Sequence, residues 1–315
     1  MYKKGKFFSD FILILLFIIL GVCLYIIYEN FPREPIPFKS ISIEENATII
    51  NNSIPSKQFY ENMRYPDRII SYHISESCSE SKSDSMKEAF DIIESKTVLK
   101  FNPVSKTNSQ INILCADVSS EPGQEDYFVA GEGGPSRVID SKRYSVILEG
   151  KIALYREGTC NNANVATHEL LHALGFDHNN KAKSILYPTL KCNQVIDPEI
   201  IDSINSLYSV NSLPDLLFST INATKAGRYL NFHMEVLNQG LVPTNNVSVG
   251  IYADNVFVES FDLNTISIGS KKIIDVENLR ISLNTQSIKF KIDYKNEISE
   301  ISEDNNELTL RLVTQ

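Results

Sequence analysis

The eleven residues 168–178 constrain what this chain can fold into more than any other segment. Residues four apart on a helix lie on the same face, so His168 and His172 can direct two imidazoles at one point, with Glu169 beside them. Gly175 follows where the helix would have to end, and glycine can adopt the left-handed conformation that turns a chain back. That turn would bring His178 towards the same point as a third nitrogen ligand.

Three neutral imidazoles with an open fourth position are typical of a catalytic zinc site. The full pattern H-E-x-x-H-x-x-G-x-x-H is far more specific than H-E-x-x-H alone, and three of the five histidines of the chain lie inside it. The alternative is a core helix whose histidines make ordinary hydrogen bonds. Leu170, Leu171 and Leu174 already supply an apolar packing face, so the sequence favours metal ligands.

The motif resembles that of the metzincin clan of zinc endopeptidases, and more narrowly that of the matrixin family. Residues 184–188, which begin six positions after His178, are similar to the matrixin S-x-M-x-P turn beneath the metal. Leu186 stands at the methionine position of that turn. Leucine and methionine are both apolar and close in volume, so we expect the turn to keep its packing role. The resemblance covers about residues 60–208.

The resemblance implies a single catalytic Zn²⁺ held by His168, His172 and His178, with water in the fourth position. Glu169 points off the ligand face, so we expect it to act as the general base that takes the proton of that water. The predicted reaction is hydrolysis of peptide bonds in a protein or peptide substrate. By the same resemblance, the substrate would lie along an edge strand near residues 133–139, as an added strand.

Residues 11–28 form an apolar segment of 18 residues without a charge, and Lys3, Lys4 and Lys6 precede it. At a rise of about 1.5 Å per residue, such a helix can cross the hydrocarbon core, and its basic flank should stay in the cytoplasm. Bulky residues stand where a small-x-small cleavage site would be expected, so a signal anchor is favoured over a cleaved signal peptide. We therefore expect a single-pass cell-membrane protein whose catalytic domain lies outside.

Four cysteines follow the apolar segment, namely Cys78, Cys115, Cys160 and Cys192. Disulfides persist outside the cytosol. The strand order implied by the resemblance favours the pairs Cys78–Cys115 and Cys160–Cys192, and four buried free thiols are the alternative.

A chain of 315 residues is long enough for two domains. We expect a cytoplasmic tail and anchor over residues 1–28 and an extracellular stalk rich in Pro, Asn and Ser over 29–58. Residues 59–212 would form the matrixin-like domain, of α+β class, with a twisted mixed sheet and three helices. Its helices are predicted over 83–97, over 164–174 and from Asp197. Turn formers at 131–135 predict a break before a strand at 137–139.

Residues 213–315 contain only strand-like runs separated by turns, which predicts an all-β sandwich of immunoglobulin type. Asn238-Gln-Gly240 and residues 292–306 resemble the cell-adhesion-related domain found in bacteria, CARDB. A surface protein or a glycan is the partner expected for such a domain. Glu303 and Asp304 make structural calcium a candidate, although an acidic solvated turn is the favoured interpretation.

The net charge of −9, without a basic patch, argues against a nucleic-acid partner. The competing function is a catalytically silent surface adhesion or binding protein that uses the metzincin fold as a scaffold. A third alternative is a metal-bearing protein whose main activity resides in the C-terminal domain. The intact set of three histidines and Glu169 favours the peptidase.

Overall fold

The structure, a computed structural model, describes residues 4–30, 35–40, 57–116, 129–156 and 163–312. The α-helices are α1 Lys4–Asn30, α2 Glu80–Lys96, α3 Asn164–Ala173 and α4 Pro198–Leu207. The strands are β1 Ile36–Ser40, β2 Met63–Arg64, β3 Ile69–Ile74, β4 Lys100–Pro103, β5 Ile111–Cys115, β6 Gly131–Asp140, β7 Ser145–Leu154, β8 Leu216–Ala226, β9 Tyr229–Asn238, β10 Val247–Ala253, β11 Val256–Asn264, β12 Lys271–Arg280, β13 Ser287–Ile292 and β14 Glu307–Leu312.

Helix α1 contains the predicted apolar segment. Its stretch Asp10–Tyr28 has a mean hydropathy of 3.1 and is not buried, so by length and composition it is a candidate membrane span. After Asp10 the stretch contains no charged residue, so its side chains can contact the hydrocarbon core of a membrane favourably.

The part of the chain between residues 57 and 212, called here the α+β domain, is built on a mixed sheet. Its strands run in the order β2-β7-β5-β3-β4 and pair in parallel, while β6 pairs antiparallel with β7 at the edge. Three helices, α2, α3 and α4, accompany the sheet. The predicted fold class, a mixed sheet with three helices, is confirmed for this domain.

Helix α2 of the α+β domain begins where the local sequence provides a cap. The side chain of Ser79 caps α2 by accepting a hydrogen bond from the Lys82 amide, which places the start three residues before the predicted Ser83. Met86, Phe90 and Ile93 then follow at helical spacing and are buried in the core.

The turn-rich break predicted at residues 131–135 is wrong, because this segment is the first half of strand β6. Its Gly133 is required by packing and not by a turn. A Cβ atom on Gly133 would lie 2.2 Å from the backbone oxygen of Glu169 on α3, so only glycine permits this approach of strand to helix. Strand β6 therefore lies directly against the helix that carries the histidine motif.

Residues 213–312, together with β1, form the sandwich domain. Its strands follow the order β11-β10-β13-β14-β1-β8-β9-β12, and all neighbours pair antiparallel. Alternate residues such as Val247, Val249 and Ile251 enter the core, where Phe232 and Phe290 lie 5.2 Å apart. The prediction of an all-β domain after the mixed one is confirmed.

Strand β1 lies within the segment predicted as a stalk. It pairs with β14 through Phe38 and Leu312 and with β8 through Ile36 and Lys225, so it hydrogen-bonds to both halves of the sandwich. The stalk prediction for residues 29–58 therefore needs correction here, because these five residues belong to the C-terminal fold. A short strand with partners about 190 and 275 positions away leaves no local signal.

The predicted disulfide Cys78–Cys115 is present and joins the segment after β3 to the end of β5. Cys192 is also disulfide-bonded. Cys160 lies outside the described residues, so its pairing with Cys192 stays a prediction.

The two domains contact each other through a small core of their own. Tyr144 and Val146 of the α+β domain pack with Leu241 of the sandwich domain. Beside them, a guanidinium nitrogen of Arg143 lies 2.7 Å from a carboxylate oxygen of the buried Asp215.

Candidate metal centre

Helix α3 presents the histidine motif because its opposite face is anchored in the core. Leu170, Leu171 and Leu174 are fully buried there, as the sequence predicted. The helix ends just before Gly175, whose φ of +96° is the left-handed conformation expected of a glycine at this point. The chain then turns back and brings His178 beside the helix.

The three histidines converge on one point. The Nε2 atoms of His168 and His172 lie 3.0 Å apart, and each lies 3.2 Å from Nε2 of His178. Among the histidine, cysteine and acidic side chains that the structure describes, these three histidines are the group whose ligand atoms lie close enough together to hold a metal ion.

Backbone carbonyls fix the orientation of two of the rings. Nδ1 of His168 lies 2.6 Å from the carbonyl oxygen of Ile185, and Nδ1 of His172 lies 2.7 Å from that of Phe176. A carbonyl can only accept, so both Nδ1 atoms carry the proton and both Nε2 atoms present a lone pair to the shared point. This is the arrangement in which histidine binds a metal through Nε2.

The geometry fits zinc. A tetrahedral ion with Zn–N bonds of about 2.05 Å separates its nitrogen ligands by about 3.3 Å, close to the observed spacing. Burial lowers the pKa of His168 to about 4, helped by its neighbour His172, and burial also lowers the pKa of His172 and of His178. The imidazoles are therefore neutral at physiological pH, as metal ligands must be. Three converging lone pairs repel one another unless a cation lies between them.

Glu169 is buried beside this cluster, with only 4% of its surface exposed. Burial, with a smaller contribution from the charge of Glu132, raises the pKa of its carboxyl group to about 8. The side chain lies along strand β6, where a Cβ atom on Gly131 would come within 2.8 Å of Glu169 Cγ. A buried carboxyl group with a raised pKa next to a metal site is typical of a general base.

The turn at residues 184–188 lies beneath the cluster, with Leu186 fully buried. The Leu186 amide donates to Ser184 Oγ at 3.1 Å, and its carbonyl accepts from the Asn179 amide at 3.0 Å. Ser184 Oγ also hydrogen-bonds to the carboxylate of Asp197. Asp197 is the residue before α4, as predicted, but its side chain makes no capping bond to that helix. It secures this turn instead.

A second support was not predicted, because it falls at the end of the expected stalk. The Lys57 carbonyl accepts from the Asp177 amide at 2.9 Å, and the Phe59 amide donates to the Gly175 carbonyl at 3.0 Å. Lys57 Nζ also pairs with the Asp177 carboxylate at 2.5 Å, and the same carboxylate accepts from the His178 amide at 2.7 Å. Segment 57–59 thus holds the turn that carries the third histidine.

These features define the class of the protein. The mixed sheet with its three helices is a matrixin-like domain, and the sandwich that follows it is a CARDB domain. Residues 64–209 match the family described as Matrixin, and residues 213–310 match the family described as CARDB. Both resemblances stated from the sequence are confirmed. A matrixin domain suggests a zinc metallopeptidase, and its family typically uses zinc.

Two solved structures are similar to the C-terminal region. One is the CARDB domain of the PF1109 protein from Pyrococcus furiosus, in complex with di-metal ions, with 16% identity, coverage of 32% of this chain and 90% of that one, and a TM-score of 0.28. The other is residues 272–376 of a putative cell surface protein from Methanosarcina acetivorans, with 19% identity, coverage of 33% and 94%, and a TM-score of 0.26. No curated protein matches this chain at a significant level.

Proposed function

We propose that this chain is a membrane-anchored zinc endopeptidase that cleaves peptide bonds outside the cytoplasm. The observation that carries the proposal is the convergence of three Nε2 atoms within 3.2 Å of one another, beside a buried glutamate. His168, His172 and His178 are the proposed ligands. When bound, zinc would supply a Lewis acid that polarises the scissile carbonyl and activates water.

The residues of the chain supply the proton transfers. Glu169 accepts the proton of the attacking water and donates it to the leaving amine. Its raised pKa makes the carboxylate a stronger base for the first transfer, while burial also favours the protonated form of the resting side chain. The positive charge of a bound metal acts in the opposite direction and favours the ionised form that the first transfer requires.

The substrate binds along the edge of β6 that faces away from β7, to which no other strand of the described residues pairs. This strand pairs with β7 on one side and lies against α3, so an extended peptide added at its other edge would pass beside Glu169. The exposed Glu132 and Arg137 line this strand.

Helix α1 anchors the enzyme, with its basic N-terminal flank in the cytoplasm and both domains outside. The disulfide Cys78–Cys115 agrees with an oxidising compartment. A surface protein or a glycan remains the proposed partner of the sandwich domain. The acidic side chain of Glu303 hydrogen-bonds to Glu300 and Asn306, which supports a structural turn there rather than a calcium site.

The test is zinc content and peptide cleavage measured on one sample of the full chain. We expect one zinc per chain and cleavage that a chelator abolishes. Glu169→Gln should retain zinc and lower the rate by about 10²- to 10⁴-fold, whereas Glu88→Gln, an exposed carboxyl on α2, should change neither. Zinc without cleavage of a broad peptide library would favour the silent scaffold, and absence of zinc would refute the ligand assignment.

A further inference from the structure

The sandwich domain has two opposite ends, and one of them is occupied by the α+β domain. Leu241, Ile268 and Ile301, which contact Tyr144 and Val146, lie in loops at that end. The other end, called here the basal end, consists of the turns at 227–228, 254–255 and 281–286 with the end of β14. Strand β8 connects the two ends in 11 residues, which at about 3.3 Å per residue separates them by about 35 Å.

Strand pairing places the segment that follows α1 at the basal end. Ile36, the first residue of β1, pairs with Lys225 next to the last residue of β8. Phe38 pairs with Leu312, the last residue of β14. Only five residues separate Asn30, the end of α1, from Ile36. Covalent geometry limits their reach to about 20 Å, so a membrane that contains α1 lies close to this end.

The basal end carries basic side chains although the whole chain has a net charge of −9. Arg280 and Arg311 are exposed there, and Arg228 lies in the turn between β8 and β9. The buried Lys225 donates from Nζ to the carbonyls of Leu283 and Thr285 and braces the loop between β12 and β13.

Among the residues that the structure describes, two acidic side chains lie at or near the basal end. The carboxylate of Asp254 accepts from the amides of Gln286 and Ser287. Glu277 is exposed, three residues before Arg280. Of the charged side chains described at this end, the basic ones therefore outnumber the acidic ones.

Apolar side chains accompany these charges. Val256 and Phe257, at the start of β11, are 69% and 48% exposed. Because β10 pairs Ala253 with Ile288 of β13, this hairpin tip lies level with the first residue of β13 at the same end. Arginines at the same end of the domain as an exposed aromatic and an exposed aliphatic side chain suit a bilayer surface, where the charges meet headgroups and the apolar groups reach the acyl boundary.

We propose that the basal end of the sandwich domain binds anionic lipid headgroups of the membrane that holds α1. This inference rests on the proposed anchoring. The sandwich domain then stands upright between the bilayer and the α+β domain and keeps the active site about 35 Å or more from the lipid. The active site would then select exposed segments of neighbouring proteins that lie at this distance from the bilayer. It would not reach the segments that directly adjoin the membrane.

The experiment compares amide hydrogen exchange of the full chain in nanodiscs of phosphatidylcholine alone and of phosphatidylcholine with phosphatidylglycerol. We expect slower exchange of residues 254–257 and 280–286 in the anionic nanodiscs. One arginine near an anionic surface is worth about a fivefold change in association. Arg280→Glu with Arg311→Glu should therefore reduce the protection by about 25-fold or abolish it. The control pair Lys183→Glu with Lys272→Glu, also exposed but away from the basal end, should leave it unchanged.

Each outcome decides something different. The inference would be overturned if residues 254–257 and 280–286 exchanged equally fast in both kinds of nanodisc. It would also be overturned if the two double variants were protected to the same extent in the anionic nanodiscs. Protection in detergent as well would indicate a contact within the chain and overturn it too. Peptide cleavage measured on the same samples tests the proposed function separately: cleavage with an unprotected basal end refutes only the membrane contact, and protection without cleavage refutes only the peptidase. A chain that does not enter the nanodisc would overturn the anchoring and the contact together.

Discussion

Replacing Gly133 by alanine tests the packing that places Glu169, the proposed general base. In β6, a Cβ atom at this position would lie 2.2 Å from the carbonyl oxygen of Glu169 and 2.8 Å from its carbonyl carbon and Cα. These are backbone atoms of α3, so no change of side-chain rotamer can relieve the contact. At the next position, Gly134, an added Cβ meets nothing within 4 Å. The chain thus offers a matched control one residue away.

The size of the effect follows from these distances. Carbon needs about 3.2 Å or more from a neighbouring heavy atom, so the strand and the helix must separate by about 1 Å. Overpacking of this kind costs about 1–3 kcal/mol. In a domain of this size, 1 kcal/mol lowers the melting temperature by about 2–4 °C. We therefore expect Gly133→Ala to melt about 2–12 °C below Gly134→Ala. Misplacing Glu169 by about 1 Å should also lower the cleavage rate by up to about 100-fold.

The assay is thermal unfolding and peptide cleavage of both variants beside the parent chain. Each variant restricts the unfolded chain equally, by about 0.4–1 kcal/mol, so the difference between them isolates the contact with Glu169. The reasoning fails if the two variants melt within 1 °C of each other and cleave at the same rate, because β6 would then not lie against α3 as described.

Three further predictions address the support of the site and the two folds. Leu186→Met should change stability by less than about 1.5 kcal/mol and preserve zinc affinity, whereas Leu186→Ala should cost about 2–5 kcal/mol in denaturant unfolding. Burial raises the pKa of Glu300 to about 8 from 4.5, so the native state holds a proton that the unfolded chain releases. The free energy of unfolding should therefore fall as pH rises from 4.5 to 8. A pH-independent free energy of unfolding in the parent chain, or the same pH dependence in Glu300→Gln, would contradict this. Removing the Cys78–Cys115 bond, which spans 37 residues, should cost about 4 kcal/mol of unfolding free energy, measured with the double serine variant.

The convergence of the three histidines could be predicted from the sequence because the information for it is local. The spacing of His168 and His172 is a property of any helix, and Gly175 needs only its own backbone freedom to turn the chain towards His178. The apolar face opposite the ligands is equally local. The start of α4 after Asp197 is predicted for the same reason.

What the sequence could not indicate depends on contacts between distant segments. Glycine and proline at 131–135 normally favour turns, but pairing with the distant strand β7 makes that segment a strand, and the proximity of α3 explains why Gly133 carries no side chain. Asp197 has the residue type of a helix cap, yet the hydroxyl of Ser184 engages its carboxylate. In both cases the local propensity is real, and the tertiary neighbour decides the outcome.

The residues before position 60 connect the two domains more closely than a stalk would. Strand β1 bridges β14 and β8 of the sandwich domain, and segment 57–59 hydrogen-bonds to the turn that carries His178. A fragment beginning at residue 60 lacks both contacts, although it keeps every proposed ligand and Glu169. Loss of activity in such a fragment would therefore say nothing about the chemistry of the histidines. The smallest unit that keeps both the candidate metal centre and the sandwich domain whole begins at or before Ile36, so the strand that follows α1 and the three histidines belong to one folded assembly.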